Sequence, residues 1–330
     1  MQALHCIINT TSVCTQHCPN CYYTGNGVMD EGMVRSVASW IRGVCKGQGV
    51  KEAKIQFLGG EPLTNLPILL SLMEALDDLP GHPDGKFITY TNGSLLTESV
   101  MGDLKAYHTK VMLNPTHNNL VWVLEKASTI KRMMGGVSLS VVADATNLPR
   151  LAALTAIMCR LKGAIRINRL YDGASIPGYI DEYKKQMHRV FDIVLESDYV
   201  MYPNFILEST YPLWPDDRNP HSCGRWLVII DPNGNIRSCN PDMSTVVGNV
   251  HTTAWEDIKF HQRWSAKGLP ECQGCEWSVG GWCQGGCPYT RKLTFGSYGH
   301  KTPFCEAFKE LFPRLKELKD KWIACNEVKE

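Results

Sequence analysis

The chain has 330 residues, 14 of them cysteine, with 44% hydrophobic and 20% charged residues and a formal net charge of +1. That balance fits a globular protein of about two domains, and it leaves no basic footprint for nucleic acid. No apolar run approaches the ~18 residues of a membrane span, and the N-terminus lacks the basic segment and cleavage site of a signal peptide. We therefore expect a cytoplasmic protein with no membrane or nucleic-acid partner. Its cysteines should ligate metal rather than pair as disulfides.

In chain order, short apolar runs predict strands over 4–9, 55–58, 87–91, 111–113, 137–142 and 164–168. Amphipathic stretches lie between them. Met33, Val34, Val37, Ile41 and Val44 follow the helical period. A second helix is predicted over 66–76, with Asn65 as N-cap and Pro67 in its first turn. Further helices are predicted over 121–134, 148–161 and 183–195. Six strand–helix units predict an α/β fold, a partial TIM-like (β/α)6 barrel, since a full barrel takes about 250 residues. Pro203, Pro212, Pro215 and Pro220 mark 200–222 as a bridge. Residues 223–305 hold seven cysteines, many glycines and little helical period. Within them, 226–230 and 235–239 flank the turn Asp231-Pro-Asn-Gly234 and predict a β-hairpin. A closing helix is expected over 306–323. The expected domains are 1–199, a bridge over 200–222, and a cysteine-rich domain over 223–330.

The most informative motif follows the first strand. Cys14, Cys18 and Cys21 form CxxxCxxC. Three thiolates do not fill the four positions of a structural zinc, but they hold three irons of a [4Fe–4S] cube and leave one iron open for a ligand. Such loops at the C-terminal ends of parallel strands are where α/β folds place their chemistry. Gly59-Gly60-Glu61-Pro62 follows the second strand. Its glycines allow a ligand close to the backbone, and Glu61 offers an acceptor for an ammonium group. Alone, it also reads as a turn. Tyr90-Thr91-Asn92-Gly93 follows the third strand, where Thr91 and Asn92 are placed to bond ribose hydroxyls, although Asn-Gly is also an ordinary turn.

In this order, the three motifs resemble those of the radical S-adenosylmethionine (SAM) enzymes. The resemblance implies that the open iron binds the amino and carboxylate groups of SAM, and that Gly59, Gly60, Glu61 and Pro62 receive its methionine amine. It makes Thr91, Asn92, Ser138, Ser140 and Arg166 candidate SAM contacts. Ser138 and Ser140 share a strand face. Many members carry an aromatic residue just before the third cysteine; here that residue is Asn20, and Tyr22 and Tyr23 follow instead as candidates for packing near adenine.

The second half resembles the SPASM extension of radical SAM peptide-modifying enzymes. Cys223 precedes Gly234-Asn-Ile-Arg-Ser-Cys239, then come Cys272-Gln-Gly-Cys275, Cys283-Gln-Gly-Gly-Cys287 and Cys305. Seven residues separate Cys275 from Cys283, more than the family usually has. The resemblance implies two auxiliary Fe–S clusters, each [4Fe–4S]. Cys272, Cys275, Cys283 and Cys305 would hold one. Cys223, Cys239 and Cys287 would hold the other, completed by Asp217 or His221 or left open. For four of the seven cysteines, a closed zinc knuckle is the rival reading. Cys6, Cys45, Cys159 and Cys325 fall in strand or helix patterns and read as ordinary thiols.

The resemblance further implies reductive cleavage of SAM to a 5′-deoxyadenosyl radical, hydrogen abstraction from a substrate carbon, and auxiliary clusters that accept the remaining electron or ligate the substrate. Net oxidation follows: a crosslink, a thioether or a dehydrogenation in a ribosomally made peptide. The alternative is a dehydrogenase or related enzyme acting on a small molecule such as an aminocyclitol or sugar. Sulfatase-maturating relatives carry an Asp directly after the GxxxxC cysteine. Here that position is Asn240, which disfavours formylglycine formation, and Asp242 is the weaker candidate base. A flavodoxin- or ferredoxin-type donor is expected. Because the first strand begins almost at the first residue, a separate leader-peptide recognition protein is also expected.

Overall fold

The computed structural model describes residues 3–82, 85–199, 201, 227–258, 269–279, 283 and 285–327. The chain gathers into two compact units. One comprises 1–114, 129–136 and 222–262; the other comprises 115–128, 137–221 and 263–330. Six strands and six helices alternate: β1 (Ala3–Asn9), α1 (Glu31–Gly47), β2 (Glu52–Leu58), α2 (Leu66–Ala75), β3 (Phe87–Thr91), α3 (Glu98–Ala106), β4 (Lys110–Leu113), α4 (Leu120–Met134), β5 (Ser138–Ala143), α5 (Leu151–Arg160), β6 (Ala164–Arg169) and α6 (Tyr179–Glu196). β7 (Leu227–Ile230), β8 (Asn235–Arg237), β9 (Gly248–Asn249), α7 (Glu276–Val279), α8 (Pro288–Phe295) and α9 (Cys305–Glu327) follow. The α/β alternation is the one expected, and each predicted strand is present.

In the first unit the strand order is β4-β3-β2-β1-β7-β8-β9. β1 to β4 pair in parallel, and β7 joins β1 in parallel with Ile7 opposite Ile229. The period of two sorts β1 into two faces. Leu4, Cys6 and Ile8 are fully buried on one face. Ile7 packs on the other with Leu58, Leu227 and Ile229. The helix α1 buries Val34, Val37, Ala38, Ile41 and Val44 as one stripe, and Asp30 caps it by accepting from the Met33 amide. The expected hairpin is present as β7 and β8, antiparallel, with Ile230 opposite Ile236. Gly234 closes its turn at φ 77°, a conformation that favours glycine. Asp231 accepts from the Asn233 and Asn235 amides and pairs with Arg237 at 2.8 Å, both side chains buried.

The second unit holds the parallel pair β5–β6, with Ser140 opposite Arg166. α6 packs on α5 and α9. Phe304 precedes α9, and Phe308 and Phe312 follow at four-residue steps, so one helical face presents a buried aromatic row. Phe304 meets Tyr179 and Tyr183 edge-on at about 6 Å. Among the described residues, no helix is long and apolar enough to cross a membrane.

β1 also carries an acid-sensitive group. His5 lies opposite Lys54 on β2. Burial, then the Lys54 charge, hold its imidazole down at about 4, with Glu52 opposing. The unfolded imidazole titrates near ~6.5. The stability tied to a neutral His5 is thus full above pH ~6.5, lost as pH falls through the window down to about 4, and flat below it. Discounted for partial exposure, the loss is about 1–3 kcal/mol. We expect His5→Gln to lose about that much less stability between pH 7 and pH 4, read from denaturant midpoints. An equal loss in both proteins would remove His5 from the account.

Candidate functional site

The CxxxCxxC loop is held at both ends. Thr11 and Val28 form an antiparallel bridge, with the Ser12 amide on the Gly27 carbonyl at 2.9 Å and the Met29 amide on the Thr10 carbonyl at 3.0 Å. Asn65, expected as a helix N-cap, makes no side-chain cap bond. Its amide instead donates to the Thr10 and Met29 carbonyls and closes the base of the loop. Cys14 and Cys18 are half-buried and Cys21 is exposed.

The two glycines after β2 serve this loop. Gly59 has φ 123°, and a Cβ there would meet the Thr11 carbonyl oxygen at 2.4 Å. A Cβ on Gly60 would meet the Val13 carbonyl oxygen at 2.2 Å. The Gly60 amide donates to Thr11 and the Glu61 amide to Val13, both at 2.8 Å. Sequence reasoning assigned this close approach to a ligand. In the structure, residues 11–13 of the chain itself make it.

Glu61 is 1% exposed. One carboxylate oxygen accepts from the Thr91 hydroxyl at 2.7 Å and the Leu63 amide at 3.3 Å; the other accepts from the Asn92 amide at 2.7 Å. Burial raises its pKa, and these three donors oppose the shift. Glu61 therefore fastens the β3 loop to the turn that begins at buried Pro62. Asn92 in turn donates to the Thr15 hydroxyl at 3.0 Å and reaches the Cys14 sulfur at 3.9 Å, while Thr15 and Ser94 share a hydrogen bond of 2.7 Å. Thr15 and Ser94 were missed by sequence reasoning. Isolated hydroxyls carry no spacing signal.

The hairpin holds the far side of the same loop. Asn240 donates to the Tyr22 hydroxyl at 2.5 Å and accepts from Asn9 at 3.2 Å. Asn233 donates to the Asn26 carbonyl at 3.2 Å. The Tyr23 hydroxyl is buried against Gly25, and burial, then Asp231, raise its pKa. The position noted for lacking a base thus carries an amide that ties β1 to the cysteine loop. Asp242 is 6% exposed and accepts from the hydroxyls of Ser244 at 2.6 Å and Thr245 at 3.2 Å, as a turn cap does.

In the second unit, Ser138, Ser140 and Arg166 share the β5–β6 face, and Ser140 accepts from Asn168 at 3.0 Å. Asn168 was not singled out from the sequence. Its register, two residues beyond Arg166, was the available signal.

The tail brings four expected ligands together. Cys272, Cys275, Cys283 and Cys305 line one pocket with Glu271, Trp277, Thr302 and Phe312. Burial raises the pKa of Cys272, Cys283 and Cys305; that of Cys283 stands at about 11, with the neighbouring thiols adding to the shift and the Gly285 amide opposing it. Thiols packed this closely are hard to ionise unless a cation takes up the charge. Among the described residues, no three His, Cys, Asp or Glu side chains stand close enough to hold a single metal ion. A tetrahedral zinc would hold its thiolates ~3.8 Å apart, whereas a [4Fe–4S] cube takes each thiolate on a separate iron. Four thiols around one pocket fit a cube. Cys239 and Cys287 are half-buried. Cys223, Asp217 and His221 lie outside the described residues. Cys6, Cys45 and Cys159 are buried and Cys325 is exposed. We expect Cys283→Ala to lower iron by about four per chain, measured after anaerobic reconstitution; unchanged iron would remove Cys283 from the ligand set.

Residues 8–150 match the Radical SAM superfamily model, a likeness that implies SAM and a [4Fe–4S] cluster as cofactors. The chain shares its fold with anSMEcpe bound to AdoMet, at TM-score 0.75 and 18% identity over 96% of this chain and 98% of that one. It is similar to anSMEcpe with bound AdoMet and Cp18Cys peptide, at TM-score 0.74 and 19% identity over 97% and 99%. It is also similar to Streptococcus suis SuiB bound to precursor peptide SuiA, at TM-score 0.67 and 14% identity over 92% and 76%. No curated protein sequence matches the chain.

Proposed function

We propose that the chain is a SPASM-type radical SAM oxidoreductase that modifies a ribosomally made peptide oxidatively, by crosslink, thioether or dehydrogenation. The observation that carries the oxidative reading is the pocket lined by Cys272, Cys275, Cys283 and Cys305. Cys14, Cys18 and Cys21 would hold the cluster, which together with bound SAM would supply one-electron radical chemistry at a substrate carbon. The chain's own part is placement. Gly59 and Gly60 let the cysteine loop lie against the end of β2, and Glu61 fixes the Thr91–Asn92 turn beside Cys14. Ser138, Ser140, Arg166 and Tyr23 remain the proposed SAM contacts. Asp242, held by two hydroxyls, is the weakest of the proposed functional residues.

The peptide class is supported by the peptides named with anSMEcpe and SuiB, whose fold this chain shares. A flavodoxin- or ferredoxin-type donor completes the proposal, in a cytoplasmic setting. The test is anaerobic. Reconstituted protein, SAM and a one-electron reductant are mixed with the low-mass fraction of a cell extract, before and after protease treatment. 5′-Deoxyadenosine formation stimulated by the fraction and lost on proteolysis is the expected result. Stimulation that survives proteolysis would favour the small-molecule reading.

A further inference from the structure

Resting on the proposed thiolate clusters of the tail, we infer that Arg291 is their fixed internal counter-charge and raises their reduction potential. Arg291 is fully buried on α8, one turn after Cys287. Its amide donates to the Cys287 carbonyl at 3.2 Å, and its guanidinium donates to the His300 carbonyl at 3.2 Å. The side chain lies within electrostatic reach of Cys287, Cys272 and Cys283, in that order of strength. By the family pattern Cys272 and Cys283 belong to one cluster and Cys287 to the other, and all three lie in the same unit as Arg291.

A second buried cation supports the same corner. Arg169 is 2% exposed, with its guanidinium 5.1 Å from the Phe304 ring and 5.4 Å from the Phe308 ring. It donates to the hydroxyl of Thr290, the residue before Arg291, at 3.3 Å. Arg169 thereby steadies the first turn of α8 and the start of α9, where Cys305 lies.

Other cations near the thiols are weaker candidates. Lys301 and Lys309 line the same pocket, but their side chains are 38% and 40% exposed and both are paired with Glu306. Charges at such sites are screened by water and salt, whereas a charge in the interior acts through a low effective dielectric. Of the three cations beside the pocket thiols, Lys301, Lys309 and Arg291, Arg291 is fully buried. An iron–sulfur core with four thiolates is anionic, and one-electron reduction makes it more so. A fixed cation beside the thiolates favours the reduced form. A cluster poised this way is a better acceptor for an electron left on an oxidised substrate.

The experiment uses the full chain with Cys14, Cys18 and Cys21 replaced by alanine, so that remaining iron belongs to the tail. Iron, acid-labile sulfide and cluster midpoint potentials are measured for this parent and for Arg291→Gln and Arg291→Lys within it. At a fixed poise, we expect Arg291→Gln to lower the reduced-to-oxidised ratio of at least one cluster about tenfold or more, a shift of about 59 mV for one electron. Arg291→Lys should stay near the parent. Full iron in Arg291→Gln with unchanged potentials overturns the inference and leaves the cluster reading intact. If Arg291→Gln fails to load iron, Arg291→Lys decides. Restored iron at the parent potentials supports a charge effect; lost iron or a shift as large as that expected for Gln overturns it. A parent without tail iron overturns the cluster reading itself.

Discussion

Replacing Cys14, Cys18 and Cys21 with alanine reduces 5′-deoxyadenosine formation to background while the chain keeps its fold. The three side chains are half-buried or exposed on a loop whose ends are fixed by backbone bonds from Ser12 to Gly27 and Met29 to Thr10. Little apolar area is lost on truncation, so the cost in stability stays small. The loss falls on chemistry, because these thiolates are the proposed ligands of the cluster. The check is chromatographic quantification of 5′-deoxyadenosine from SAM under reducing, anaerobic conditions, alongside circular dichroism. Turnover in the folded triple variant would contradict the assignment.

Glu61→Ala is the second large effect, and it falls on structure. Truncation leaves three donors without their acceptor in a site 1% exposed: the Thr91 hydroxyl and the Leu63 and Asn92 amides. Each orphaned group costs about 1–3 kcal/mol, so with partial relaxation we expect a loss of about 3–5 kcal/mol. Glu61→Gln offers one acceptor oxygen where the carboxylate offers two and should fall between the two proteins. Denaturant midpoints of the three proteins give the answer. If Glu61→Ala lost less than about 1 kcal/mol, Glu61 would not be a structural fastener. A ligand role would then have to explain why the residue is there.

The sequence exposed the parts whose chemistry demands residue type and spacing together. The CxxxCxxC loop, the tail cysteines and the six strands were readable because thiolates repeat at fixed offsets and apolar residues repeat at fixed periods. α3 was harder. It is nine residues long and buries only Met101 and Leu104, too few to set a period, although Thr97 caps it by accepting from the Val100 amide. The hairpin was legible from its Asp-Pro-Asn-Gly turn. Its parallel pairing with β1 was not, because no local pattern records a partner more than 200 residues away. The same limit hid the bridge from Asn9 through Asn240 to Tyr22, and the reach of Asn65 to the base of the cysteine loop. Gly59 and Gly60 were recognised as sites of close approach. What approaches them, the carbonyls of Thr11 and Val13, is visible only in three dimensions. Arg291 carried no signal at all, since a buried arginine and a surface arginine are written alike.

The most direct test is to count iron and acid-labile sulfide in the Cys14/Cys18/Cys21→Ala variant after anaerobic reconstitution. The account predicts about eight irons per chain, two [4Fe–4S] clusters retained in the tail. Near-zero iron with stoichiometric zinc would contradict it: the thiols around the Cys283 pocket would then be a structural site, and the oxidative chemistry would lose its electron acceptor.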